Sequence, residues 1–232
     1  MDFNSLIQNG DEAGIIYQLN INPDLANQPI DSDSSLYLAH RYGKPNIFKI
    51  LLKYGADPNA LYSNDNTLHR VPILHMVLYS IKSVQELINH GVNVNGSNLN
   101  GDICLHTPIC RSDVVKLLID NGVNVNAVGS YGATPLIIQA SMGNVDMVKV
   151  LLENGADVNA KNDNGVTALH RAATTSYDKI VKLLLIHGAD RSICDDNGHT
   201  ATNLAINYKH YITAEIIRDY EEEFDVKEPE FD

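Results

Sequence analysis

The sequence predicts an all-α solenoid, one array of stacked helix-turn-helix units joined by extended turns. Three observations predict it. Glycines recur at a fixed step, Gly132, Gly165 and Gly198 in one set and Gly155 and Gly188 in another, and self-similarity at that period marks a repeat architecture. Between them apolar residues fall at helical spacing, as in Ile180, Val181, Leu184 and Leu185. A helix pair of this length cannot bury its stripe alone, so each unit requires neighbours.

The unit is clearest from Gly155 to Asp190. Thr167 stands where a side-chain oxygen caps a helix N-terminus, Ala168 and Leu169 open the first helix, and Ala172 and Ala173 are small enough for close helix packing. The stripe from Ile180 to Leu185 forms the second helix, and Gly188 ends it by accepting the left-handed conformation without a Cβ penalty. Ala189 and Asp190 lead through an extended turn to the next Asn-Gly pair.

Taken in order, residues 1–31 read as an N-terminal capping unit, with helices at Ser5–Gly10 and around Ile15, Ile16 and Leu19, and with Asp2, Asp11 and Glu12 giving it a polar outer side. Units follow at 32–66, 67–100, 101–131, 132–164 and 165–197, and a degenerate C-terminal cap at 198–220, about seven units in all. Leu36 precedes Gly55 by the same interval that separates Leu136 from Gly155 and Leu169 from Gly188. The third unit carries five extra residues between Leu61 and Val71, among them Tyr62, Asp65, Asn66, His69 and Arg70, so one finger should project beyond its neighbours. Two residues are missing between Leu74 and Gly91, and again between Leu105 and Gly122, so the first helices at Leu74–Leu78 and Leu105–Cys110 should be stubby or irregular. Pro108 reinforces that expectation for any helix starting near Ile103. Residues 221–232 hold seven acids and one base, half of the net charge of -12, and should form an extended, mobile acidic tail.

Composition narrows the function. The net charge of -12 argues against a phosphate backbone as main partner, because nucleic-acid affinity comes largely from clustered Lys and Arg. A protein with a basic surface fits better. Three cysteines, no signal-like N-terminus and no long apolar run point to free thiols in a reducing compartment, with no membrane partner. Cytoplasm, nucleus and the interior of a host cell all satisfy this.

Thr167-Ala-Leu-His-Arg-Ala172, with looser copies at Thr134-Pro-Leu136 and Ser35-Leu-Tyr-Leu-Ala39, resembles the Thr-Pro-Leu-His-x-Ala core of ankyrin repeats. That family serves as a binding scaffold for unrelated partners, so the resemblance implies a fold and a binding role but no particular partner. It implies an ankyrin-repeat solenoid with β-hairpin-like finger loops between units, in which contacts are made by the fingers and by exposed inner-helix positions. The finger positions are Asn100, Asp102, Ser130, Tyr131, Asp163, Asn164, Val166, Asp196, Asn197 and His199, joined by Tyr62, Asp65 and Asn66 of the insertion. The inner-helix positions are Arg41, Tyr42, Tyr79, Ser80, Arg111, Ser141, Met142, Thr174, Thr175, Asn207 and Tyr208. Tyr42, Tyr79, Tyr131, Met142 and Tyr208 stand out as aromatic or flexible apolar anchors.

The resemblance also gives His75, His106 and His170 a bracing role, hydrogen-bonded to backbone between adjacent turns, in place of a catalytic one. Cys104 and His106 with Cys110 fall short of the four convergent ligands a structural zinc needs. Neither metal nor cofactor is expected. Asn59, Asn95, Asn126 and Asn159 close the turn of each unit, and they resemble asparagines that are hydroxylated in many ankyrin proteins.

The resulting reading is a non-enzymatic intracellular scaffold, monomeric alone, that binds a partner protein through fingers and concave face. Two alternatives stand beside it: a viral or bacterial effector that occludes a host protein with the same surface, and an enzyme hidden in the irregular stretch from Leu61 to Arg111. The chain shows no nucleophile elbow or phosphate loop to support the last.

Overall fold

The structure is a computed structural model that describes residues 2–30, 33–63, 70–108 and 111–220, with the backbone alone at residues 62, 63 and 70. Polar residues placed just ahead of apolar runs start many of its helices. α1 (Phe3–Asn9) begins at Asp2, whose carboxylate accepts from the Ser5 N–H at 2.7 Å, and α2 (Glu12–Ile21) begins at Asp11, which accepts from Gly14 at 2.9 Å. After a 3₁₀ turn at Pro23–Ala26 come α3 (Ser35–Arg41), capped by Ser34, and α4 (Pro45–Lys53), with proline at its first position. The insertion follows. It pairs as an antiparallel hairpin, β1 (Leu61–Ser63) on β2 (Arg70–Pro72), with Leu61 opposite Pro72. Asp65, Asn66 and His69 lie outside the described residues.

The shortened units come next and are irregular for the reason their length gives. α5 (Ile73–Met76) is a single turn before α6 (Ile81–Asn89). The following unit has only a 3₁₀ turn, Cys104–His106, ahead of α7 (Ser112–Asp120). From residue 131 the pattern is regular: α8 (Pro135–Met142), α9 (Val145–Glu153), α10 (Ala168–Thr175), α11 (Asp178–Ile186), α12 (Ala201–Asn207) and α13 (Tyr211–Arg218).

The chain divides into two compact units, residues 1–130 and 131–232. In the first, α1, α3 and α5 pack in sequence as an inner row, while α2, α4, α6 and α7 pack in sequence as an outer row. Phe48, Leu51, Leu74, Leu87, Leu105 and Leu118 are fully buried there. In the second, α8, α10 and α12 form the inner row and α9, α11 and α13 the outer, around Leu136, Leu151, Leu169, Ile180, Leu184 and Ile217. The short helices make this dependence on neighbours necessary, since isolated helices below about 12 residues are marginal in water.

The acids of the first helix pair are exposed, Asp2 and Asp11 capping helix N-termini and Glu12 accepting from the Asn46 side chain. The outward face of α2 also shows Ile16, Tyr17 and Ile21, the last two each 65% exposed.

Candidate partner-binding site

The site is assembled from two kinds of backbone device. At three of the fingers one side chain folds the tip by accepting from residues two and four positions ahead. Asn98 accepts from the Asn100 and Asp102 N–H at 2.9 and 3.0 Å. Asn162 accepts from Asn164 and Val166 at 3.0 and 2.9 Å, and Asp195 from Asn197 and His199 at 3.0 and 2.8 Å. The residues expected at the fingers are therefore the ones these turns hold up. Fingers of the second unit also join directly, with Asp163 donating to the Tyr131 carbonyl at 3.0 Å and Asp196 to Asn164 at 3.1 Å. A side chain on Gly132, which has φ +70°, would collide with Asp163 at this junction.

The buried histidines are the second device. His170 accepts at Nδ1 from the Thr167 N–H (3.2 Å) and donates from Nε2 to the His199 carbonyl (3.1 Å). Those two bonds define a neutral ring and tie α10 to the next finger. Burial pushes its pKa below the ordinary histidine value against the pull of the His199 carbonyl. His75 does the same with Gly96 at 3.1 Å, and His106 accepts from Ile103 at 3.1 Å. At the opposite turns Asn59, Asn95 and Asn159 each accept from the backbone of the next turn at 2.7–2.8 Å, at Asn93, Asn124 and Asp190 respectively.

On this frame the second unit presents a groove of about 500 Å³. Six of the expected contact residues line it, Val166, Thr174, Asn197, His199, Asn207 and Tyr208. Tyr208 stacks on His210 with ring centres 6.5 Å apart, and His210 in turn bonds the Thr174 carbonyl at 3.2 Å, so the exposed aromatic wall lies beside a ring tied to α10. Near the groove's sequence neighbours, Tyr131 stands 82% exposed with φ +55°, and Met142 is 47% exposed at the end of α8. Asp163, Asn164 and Asp196 are exposed at the tips.

Elsewhere the expected residues are divided. Tyr79 and Asn100 are exposed, Tyr42 is half-buried, and Arg41 lies 3.8 Å from Asp33. Arg111 is turned onto Asp113, and the hydroxyls of Ser141 and Thr175 bond carbonyls of their own helices. Asp102 accepts from the Ser130 N–H (2.8 Å) and hydroxyl (2.7 Å); burial opposes its ionisation, but these bonds and Asn98 hold its carboxyl below the usual range. It braces a finger as much as it faces outward. Tyr62 contributes backbone to β1, and Asp65 and Asn66 fall outside the described residues.

Several participants escaped sequence reasoning. Asn98, Asn162 and Asp195 build the fingers, and the identical step from 162 to 195 was the available signal. Asn27 performs the turn-asparagine role, accepting from Asp57 at 2.7 Å and donating to Gly55 at 2.8 Å, and it precedes Asn59 by one repeat. Arg171 and Leu204 line the groove with no pattern to mark them. Among the described residues no three His, Cys, Asp or Glu side chains gather as a metal site. Cys104 is buried with its thiol pushed up to about 12 by desolvation, and Cys110 falls outside the described residues. Among the described residues no helix is long and apolar enough to cross a membrane.

Three family models match the chain: "Ankyrin repeat" over residues 31–62, "Ankyrin repeats (3 copies)" over 73–162 and "Ankyrin repeats (many copies)" over 151–205. The ankyrin repeat protein FPV222 of Fowlpox virus (strain NVSL) is 33% identical over 126 residues, 53% of this chain and 16% of that protein. Ankyrin repeat and SOCS box protein 12 of Mus musculus is 31% identical over 120 residues, 52% of this chain and 30% of its own length. The B-cell lymphoma 3 protein homolog of Mus musculus is 30% identical over 121 residues, 51% and 26% of the two chains. Each alignment thus spans less than a third of the relative. With matches running through residues 31–62 and 73–205, the chain belongs to the ankyrin-repeat family.

Proposed function

We propose that this chain is a scaffold that captures one partner protein through its fingers and the concave groove of residues 131–220. Ankyrin repeats mediate protein–protein interaction and are generally non-enzymatic modules. The observation that carries the finer reading is the groove itself: side chains picked out at finger and inner-helix positions converge on one concavity with an aromatic wall. A frame tied by backbone bonds loses little freedom on association, and fixed aromatic anchors give contact area at small entropic cost. The charge of -12 favours encounter with a basic partner surface. The seven proposed units, the monomeric state, the intracellular location and a steering role for the acidic tail belong to the same proposal. A second form of it, occlusion of a host protein by a pathogen effector, is favoured by the poxviral relative.

The test is capture from cell extract by the full chain and by a Tyr131→Ala/Met142→Ala variant. Retention of one stoichiometric partner, at least about tenfold weaker for the variant with an unchanged melting temperature, supports the proposal. Equal losses of binding and stability would assign these residues to the fold instead.

A further inference from the structure

Within the groove one group lacks its complement. Arg171 is half-buried on the inner face of α10 and lines the cavity. Among the described residues no carboxylate or carbonyl accepts from its guanidinium. The one carboxylate lining the same groove, Asp195, is committed elsewhere: it accepts from two finger N–H groups at 2.8–3.0 Å and lies 3.7 Å from the His199 ring. Around Arg171 the polar wall offers the Asn197 and Asn207 amides and the Tyr208 ring, while Leu204 and Val166 supply apolar surface.

A guanidinium in a groove that no protein acceptor engages is open to a partner, and its planar fork is matched by a carboxylate bound through two N–H groups. We propose that Arg171 is the specificity anchor of this groove and that it takes the side-chain carboxylate of an aspartate or glutamate on an extended partner segment. The residue next to that acid packs on Tyr208 and Leu204. This rests on the scaffold reading above and names the chemistry of its partner. It also sharpens the expected sequence. An acidic chain repels acidic ligands everywhere except at a local cation, so the favoured segment is basic or neutral with a single acid in register.

The experiment is selection of a displayed library of random dodecapeptides on the full chain, followed by affinities of the selected peptides for Arg171→Gln, Arg171→Lys and Tyr208→Ala. The expected result is enrichment of Asp or Glu at one position flanked by apolar residues. Affinity should fall about tenfold or more for Arg171→Gln and partially for Arg171→Lys, because lysine keeps the charge and loses the fork. Amidating the peptide's acid should bring its affinity for the native chain down to that for Arg171→Gln. Peptides that require Tyr208 but carry no conserved acid and ignore Arg171→Gln would overturn the Arg171 assignment and leave the scaffold reading standing. A selection that yields no peptide at all would overturn both.

Discussion

Replacing His170 with alanine removes more than a ring from the interior. The side chain is 1% exposed and makes two bonds to backbone, from the Thr167 N–H and to the His199 carbonyl, with the Thr167 hydroxyl 2.9 Å from Nδ1. The His199 carbonyl keeps a second donor, the Asp195 N–H at 2.9 Å, so its loss is small. Thr167 has no such reserve, and its buried N–H left unpaired costs about 1–3 kcal/mol. Lost packing of the imidazole adds about 1–2 kcal/mol. The sum is about 3 kcal/mol, or a fall of about 6–12 °C in melting temperature for a chain of this size. Urea unfolding followed by far-ultraviolet circular dichroism and tyrosine fluorescence measures it, the chain having no tryptophan. A loss below about 1 kcal/mol would refute the bracing role. The same ring gives a pH signature. Its folded pKa lies below the unfolded value of about 6.5, so between those two values the unfolded state binds more protons. Its contribution is complete above pH about 6.5 and is lost as pH falls from there towards the folded pKa; His75 and His40, shifted down by burial, act in the same direction. His170→Gln should flatten that part of the stability profile.

Three further outcomes follow from individual positions. In a Cys110→Ser background, a thiol reagent at pH 8 should modify exposed Cys194 rapidly and Cys104 only on unfolding; fast modification of both would contradict the burial of Cys104. Lys209 adopts φ +64° in the α12–α13 turn with an exposed side chain, so Lys209→Gly should raise stability by about 0.5 kcal/mol in chemical denaturation, and a loss would mean the lysine makes a contact that matters. Deleting residues 221–232 should slow association with a basic partner at low ionic strength and leave it unchanged at high salt, measured by surface plasmon resonance; an unchanged on-rate at low salt would remove the tail from the binding mechanism.

The irregular middle was legible because it depended on counting. Two missing residues between Leu74 and Gly91 leave no length for a full inner helix, and α5 is one turn long. The insertion before Val71 was legible as extra length in a hairpin-like finger, whereas the register of β1 on β2 depends on alternation across three residues, too short a signal to read. The capping role of Asp11 was not legible for a similar reason. Sequence shows that a carboxylate is present, while its partner, the Gly14 N–H, exists only once the helix forms.

The same division holds for the site. Period, capping residues and glycine positions are local facts, set by what each residue's backbone and nearest neighbours allow, and they were sufficient for the repeat fold, while the bracing of His170 and the finger positions came with the family resemblance. Which of those positions share a concavity is a non-local fact. Val166, Thr174, Asn197 and Tyr208 lie on two repeats and meet only through the packing of α10 against α12. Whether a charge is engaged is equally non-local: Asp195 and Arg171 line the same groove, and the finger turn occupies the first while no acceptor among the described residues engages the second.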